Sequence, residues 1–349
     1  MIKPESISIM KEDDKITVII PTYNSARFLA ESIESILEQT VQNLHLAILD
    51  GGSKDATIDI AKAYAVRDER ISLHSYIGVH PTARIDDFVK KITTPYFALQ
   101  HSDDISYKNR LEKQINAFEN DPELGACSCA YRSFWHDRST STKPKPETIH
   151  KKPEKHEEIR ANLVFWWVMH SPAIAFRTQQ INNHGLGFYN KFQFGNDYLT
   201  NLNFIEKIKY HNIQDELCAY RIHSESDGAK NMEALRKEEI ELKRQALSHF
   251  GFSFTEHELE IHTKIRLLPD GIIDAISRQE FDEIITWLNK LVKMNNSSKK
   301  IDPAIFNKLV TDLIKQSETI KKMKFNPFIK AARNIILPAI KNIYSRTRR

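Results

Sequence analysis

Two adjacent carboxylates, Asp103 and Asp104, directly follow the apolar run Tyr96–Leu99, so both project from the end of a strand. A paired acid in such a place can hold a hard divalent cation, Mg²⁺ or Mn²⁺, which uses one or two protein carboxylates and keeps its other positions for diphosphate oxygens. Asp104 has a second use open to it, as the cap of the helix that follows. Two more polar clusters end apolar runs: Pro21-Thr22-Tyr23-Asn24 after Ile16–Ile20, and Asp50-Gly51-Gly52-Ser53-Lys54-Asp55 after Leu44–Leu49. Each alone also reads as a good turn and helix start, and either motif by itself leaves function open.

The elements that must position these clusters alternate. A β-branched segment at 16–20 precedes a helical pattern at about 26–39, with Phe28, Leu29, Ile33, Ile36 and Leu37 on one face and Asn24 or Ser25 available as cap. Strands at 44–49, 71–75 and 96–100 and helices at 54–65, about 82–91 and 108–120 continue the alternation, which predicts an α/β fold with a parallel sheet. In such sheets ligands bind beyond the carboxyl ends of the strands. The shared location of the three clusters therefore makes them one candidate site. A further strand is expected at 125–130, and the polar, Pro- and Lys-containing stretch 139–158 reads as a mobile loop. Past Ser226 the pattern turns helical, with candidates at 229–249, 255–268, 277–294 and 303–323. The expected division is a tail at 1–14, an α/β domain at 15–226, a helical extension at 227–323 and a basic tail at 324–349.

Composition bounds the answer. At 349 residues, 41% hydrophobic and 28% charged, the chain is ordinary globular material for about two domains. Its 10 glycines, about 3% against a usual ~7%, favour a helix-rich fold. Three cysteines without a zinc-like cluster argue for a reducing cytoplasm rather than a disulfide scaffold. The polar, acidic start is unlike a secretory leader. The longest uncharged stretch, Ala161–Phe176, is 16 residues and too polar to span a bilayer. The formal charge of +4 is uneven: residues 320–349 hold nine Lys/Arg and no acid, leaving 41 basic against 46 acidic residues elsewhere, a net of −5. A nucleic-acid-binding body is not suggested.

Taken in order, the motifs resemble glycosyltransferase family 2. The resemblance is carried by Val18-Ile19-Ile20-Pro21-Thr22-Tyr23-Asn24 with Ser35-Ile36-Leu37-Glu38-Gln39-Thr40, by Ile48-Leu49-Asp50-Gly51-Gly52-Ser53-Lys54-Asp55, and by Ser102-Asp103-Asp104. Gly195-Asn196-Asp197-Tyr198 and Tyr220-Arg221-Ile222-His223 match two later features, so the likeness covers roughly residues 15–225. It implies a GT-A, Rossmann-like domain that binds a nucleotide sugar. By the same resemblance Pro21, Tyr23, Asn24, Asp50 and Asp55 hold the nucleotide, Asp103 contacts the donor, and Asp104 ligates Mn²⁺ or Mg²⁺. His223 is a second candidate metal ligand and Arg221 a candidate diphosphate contact. Asp197 is the implied general base, which deprotonates an acceptor hydroxyl for single-displacement, inverting transfer; on its residues alone it also reads as a helix cap. Three positions depart from the family pattern. Gly51 stands where many members have a second acid, His101 replaces a leading Asp, and Asn196 replaces a Glu.

The run Phe165–Pro172 holds two of the four tryptophans. Trp166 and Trp167, with His170 beside them, are candidate acceptor contacts, because indole faces suit sugar C–H surfaces; packing in the core is their other use. In the tail, apolar residues from Phe325 to Ile343 recur every three or four, with Lys330, Arg333 and Lys341 outside the stripe and Pro338 interrupting it. That pattern suits either an anionic inner-leaflet surface or docking on the preceding helices. The expected protein is a cytoplasmic, peripherally membrane-bound transferase. It moves a hexose or N-acetylhexosamine, UDP-linked, to a hydroxyl of a bacterial surface glycan, with a finer likeness to lipooligosaccharide and O-antigen enzymes that form β-1,3 linkages. Its competitors are a nucleotidyltransferase, which lacks its phosphate loop here, and a non-catalytic scaffold motivated by the three departures.

Overall fold

The computed structural model describes residues 10–136, 147–189, 191–224, 232–270 and 275–325. These fall into two compact units. The first runs up to His150 and resumes at Met169; the second joins Lys151–Val168 to the helices beyond Lys230. A single boundary near 226 therefore misses the piece 151–168, whose place with the distant helices is a matter of tertiary packing that local pattern does not carry.

In the first unit, β1 (Ile16–Thr22), β2 (Leu44–Asp50), β3 (Ile71–Ser75) and β4 (Tyr96–Leu99) are parallel, with α1 (Leu29–Leu37), α2 (Thr57–Arg67) and α3 (Pro81–Val89) between them. β2 is buried at every position, as expected of a parallel strand covered on both faces. β5 (Ile105–Ser106), α4 (Arg110–Asn120), β6 (Leu124–Trp135), β7 (Thr148–His150), β8 (Ala175–Arg177), α6 (Thr178–Asn183), α7 (Asn196–Phe204) and β9 (Lys209–Ile222) complete this unit. α5 (His156–Leu163) belongs to the second. Of the stretch 139–158, residues 139–146 lie outside the described residues; the rest contributes a strand and the start of a helix, with Thr148–His150 paired to Tyr131–Ser133.

Strand order along the sheet is β3-β2-β1-β4-β8-β6-β9-β5, with β7 also paired to β6. Thr22 is in register with Asp50, Asp50 with Ser75 and Ile19 with Leu99, so the carboxyl ends of β1 to β4 share one edge. The order reverses between β1 and β4, which opens the crevice where the three polar clusters meet. Leu29, Ile33 and Ile36 of α1 pack on the core made by Val18, Ile20, Leu46 and Ile48. Neither Asn24 nor Ser25 caps α1 with its side chain: the first helical turn begins after Phe28, and the Ser25 carbonyl accepts from the N–H groups of Phe28 and Leu29.

The second unit gathers α5 with α8 (Met232–His249), α9 (Glu256–Lys264), α10 (Leu267–Asp270), α11 (Arg278–Ser298) and α12 (Pro303–Phe325). Among the described residues no helix is long and apolar enough to cross a membrane. The basic stripe expected from Phe325 onward lies, past that first residue, outside them. Two buried bases tie 163–168 to the helices. Lys243 Nζ donates to the Phe165 carbonyl at 2.8 Å, and His262 Nε2 lies 3.0 Å from the Val164 carbonyl, while its Nδ1 takes the Trp287 indole N–H at 3.0 Å. Burial, then the Lys243 charge, lowers His262 from 6.5 to about 3. Burial lowers Lys243 from 10.5 to about 8. In both cases the unfolded chain binds the proton more readily, so stability rises with pH, for His262 between 3 and 6.5 and for Lys243 between 8 and 10.5. Acidification from pH 7 to pH 5 should cost about 2 kcal/mol through His262 alone. Denaturant unfolding at the two pH values measures it, and His262→Gln should shrink the difference. His45, buried beside Ser72 and lowered to about 4, acts in the same direction in the first unit and leaves a remainder.

Candidate active site

The first two loops brace one another. Asn24 adopts a left-handed φ of 49°, its N–H donates to Ser53 Oγ at 2.9 Å, and its Oδ1 accepts the Lys54 N–H at 2.8 Å. Asp50 is buried, and its carboxylate accepts from the N–H groups of Gly52 and Ser53 and from Ser53 Oγ at 2.5 Å. Asp55 accepts from the Ala26 N–H at 3.1 Å and from Thr57 Oγ1 at 2.5 Å. Burial disfavours its charge, but these hydrogen bonds prevail and hold the carboxyl below its ordinary value. Three residues assigned to the nucleotide from sequence thus spend their polar atoms on shaping the crevice. Of the other two, Pro21 lines a cavity, and Tyr23 is 55% exposed.

Gly51 has a structural account. A Cβ there would lie 2.9 Å from Arg84 Nη1, because the buried Arg84 guanidinium fills that space and donates to the carbonyls of Thr22 at 2.7 Å and Leu49 at 2.8 Å. A second acid at 51 would displace this clamp. No motif pointed to Arg84; the missing side chain at 51 was the one signal available.

Across the crevice Ser25 Oγ meets Ser102 Oγ at 2.8 Å, joining the β1 loop to the acidic loop. There His101, Asp103 and Asp104 each offer a ligand atom, all within 4.8 Å of one another. Asp104 does not serve as a helix cap: its Oδ1 accepts the Arg221 N–H at 2.9 Å, and α4 starts after Asn109. Asp104 Oδ2 is buried without a hydrogen-bond partner. Burial first, then the neighbouring Asp103 charge, pushes the Asp104 carboxyl well above the usual carboxylate range, an arrangement that a bound cation would reverse. Burial pushes Asp103 the same way, but His223, with Nε2 3.0 Å from its Oδ2, and the nearby His101 bring it net lower. His223 meets the cluster through Asp103 and orients that carboxylate.

Arg221 is turned inward. Its Nε donates to the Asp103 carbonyl at 2.8 Å, Nη1 lies 3.0 Å from His136 Nδ1, and Nη2 donates to Glu31 at 2.5 Å. The guanidinium sits over Phe28 at 4.5 Å and Phe134 at 5.0 Å, and its side chain is 3% exposed. The place expected for a phosphate is taken by protein, so this arginine clamps the acidic loop from behind. Its five partners come from the start of α1, the β4–β5 loop and the end of β6, and apart from Asp103 none is signalled by a motif.

Asp197 stands in the first turn of α7. Gly195 is the N-cap, at a left-handed φ of 70°, so capping does not use Asp197. Asn196 holds both the N–H and the carbonyl of Phe192, at 3.0 and 2.6 Å. The Asn196 amide donates and accepts at once, which an ionised carboxylate cannot do, and this accounts for Asn where the family pattern has Glu. Pro21, Leu99, His101, Ser171, Asp197 and Thr200 line one cavity of about 250 Å³. Tyr220, quoted from the sequence as part of its motif but given no role, feels both acidic groups: burial and the charges of Asp104, Asp103 and Asp197 push its hydroxyl well above its ordinary value.

The three expected acceptor residues separate. His170 is in the first unit, buried and stacked on Tyr131 with centroids 3.6 Å apart. Trp166 and Trp167 are in the second, where Trp166 packs near Phe165 and Lys243 Nζ lies 5.3 Å from the Trp167 ring.

Comparison with known proteins bears on the family and the fold. The model of Glycosyl transferase family 2 matches residues 17–186, a span that stops short of Asp197 and Arg221. EpsE of Bacillus subtilis is 40% identical over 112 residues, 32% of this chain and 40% of EpsE. An uncharacterized glycosyltransferase of Haemophilus influenzae is 23% identical over 241 residues, 67% of this chain and 74% of that one. The match to EpsE thus spans less than half of that relative. Among solved structures, S. aureus TarS 1-349 in complex with UDP-GlcNAc superposes with a TM-score of 0.54 at 15% identity, covering 89% of this chain and 91% of that one. A mannosyltransferase from Pyrobaculum calidifontis, in complex with GDP-Man and Mn²⁺, gives 0.54 at 16% identity, covering 96% and 91%.

Proposed function

We propose, from the chain's membership of glycosyltransferase family 2 and its GT-A fold, that it transfers a hexose or N-acetylhexosamine from a UDP-linked donor to a glycan hydroxyl with inversion. The observation that carries the reading is the cavity that brings His101, a member of the acidic cluster, together with Asp197. Asp103 and Asp104 suit a divalent cation, because the buried, unpartnered Asp104 Oδ2 awaits a positive partner. When bound, Mn²⁺ or Mg²⁺ supplies Lewis-acid neutralisation of the departing diphosphate. The remaining work belongs to the chain. Pro21 and Tyr23 offer an apolar seat for the base, His223 orients Asp103, and Arg221 fixes the acidic loop. Asp197 accepts the proton of the acceptor hydroxyl, whose oxygen forms the bond to the anomeric carbon from the side opposite the breaking carbon–oxygen bond; the electron pair leaves on the diphosphate. An acceptor built into a bacterial surface glycan, and attachment to an anionic inner-leaflet surface through 324–349, complete the proposal.

The test is a titration of UDP, GDP, CMP and dTDP and their common sugars, each with Mn²⁺ and with EDTA. A UDP sugar should bind and EDTA should abolish binding; failure of every nucleotide to bind the folded protein would reject the reading in favour of a scaffold. The three departures no longer argue for the scaffold, since Gly51 makes room for Arg84, Asn196 clamps Phe192 and His101 joins the acidic cluster.

A further inference from the structure

His101 occupies a position where an aspartate is the common alternative, and its ring differs from a carboxylate in both charge and softness. Its Nδ1 lies 3.8 Å from Asp104 Oδ2. That is too long for a hydrogen bond, yet short enough for one ion to reach both atoms. The backbone of His101 is pinned, its carbonyl accepting from Ser32 Oγ at 2.8 Å. Its side chain is 43% exposed and lines the cavity that holds Asp197, so the ring is accessible from the site. Asp104, by contrast, is 1% exposed and has its Oδ2 buried without a partner, which is costly unless a cation compensates it. The other imidazole, His223, reaches the cluster at Asp103 Oδ2, 3.0 Å from its Nε2.

We propose that His101 is a direct metal ligand and sets the ion preference of the site, favouring Mn²⁺ and later first-row ions such as Co²⁺ over Mg²⁺. Imidazole nitrogen suits first-row transition ions, whereas Mg²⁺ demands oxygen ligands in near-ideal octahedral order. The neutral ring also carries one negative charge fewer than aspartate, which weakens every divalent ion alike; selectivity therefore shows in the ratio of affinities and not in either one. The inference rests on the metal-assisted reading above.

The experiment titrates the full chain with Mn²⁺ alone and Mg²⁺ alone, for wild type, His101→Asn and His101→Asp. Asparagine supplies a neutral oxygen, so it changes the ligand atom without changing charge. The ratio of Mn²⁺ to Mg²⁺ affinity should fall by about tenfold in both variants. Pulsed EPR of the Mn²⁺-loaded protein should show ¹⁴N modulation in wild type and lose it in His101→Asn. An unchanged ratio, or undiminished ¹⁴N modulation in His101→Asn, would overturn the assignment while leaving metal-assisted transfer standing. Absence of any ion binding to the wild type would overturn both.

Discussion

Asp197→Asn should lower turnover by about a thousandfold while metal and donor affinities stay within a few-fold of wild type. The replacement keeps size and hydrogen-bonding reach but removes the capacity to accept a proton. A sugar hydroxyl is a poor nucleophile until its proton has somewhere to go, so the loss falls on kcat. The fold should tolerate the change. Gly195 is the cap, Asn196 closes the loop on Phe192, and Asn201 Nδ2 donates to the Asp197 carbonyl, none of which needs the Asp197 carboxylate. The lost favourable contact of an acid with the helix N-terminus is worth under about 1 kcal/mol. Steady-state kinetics beside donor titration decides it. Wild-type turnover would remove Asp197 from the mechanism, and a drop confined to donor affinity would move it to the donor side of the cavity.

How far the sequence reveals this site follows from what each residue answers to. β1, β2 and β4 announce themselves because strands buried on both faces read as continuous apolar runs, and the loops after them fall at one sheet edge by topology alone. By that topology Pro21 comes to line the cavity, and the Asp103–Asp104 pair follows β4 at the same sheet edge. What a polar side chain does once there is not a local property. Asn24 and Asp55 are equally good as nucleotide ligands and as loop braces, and the choice depends on N–H groups contributed by residues 29 and 30 positions away. Arg84 is invisible for the same reason: its partners are the carbonyls of two strands distant from α3. The assignment of 151–168 to the second unit likewise depends on Val164 and Phe165 meeting His262 and Lys243, roughly eighty to a hundred residues later.

Arg221 is the sharpest case, since the same side chain supports two opposite expectations. As a diphosphate contact it would leave stability and bare-ion binding untouched when replaced. As the clamp seen here, its loss strips the Asp103 carbonyl and His136 of partners and two aromatic faces of their cation. Each charge-assisted hydrogen bond lost from a buried guanidinium costs about 1.5–3 kcal/mol, and Glu31, whose side chain is 53% exposed, recovers part of its share from water. Arg221→Met should therefore destabilise the first unit by about 3–5 kcal/mol and loosen the loop that carries Asp103 and Asp104. Mn²⁺ should then bind more weakly with no nucleotide present, although a positive charge has been removed from beside the site. Arg221→Lys separates the two roles without ambiguity. Lysine keeps the charge that a phosphate would need, but its single ammonium cannot span Asp103, His136 and Glu31 together. A lysine variant as unstable and as weak for Mn²⁺ as the methionine variant fixes Arg221 as the positioning residue. Wild-type stability and Mn²⁺ affinity in both, with only UDP binding lost, would return it to the diphosphate.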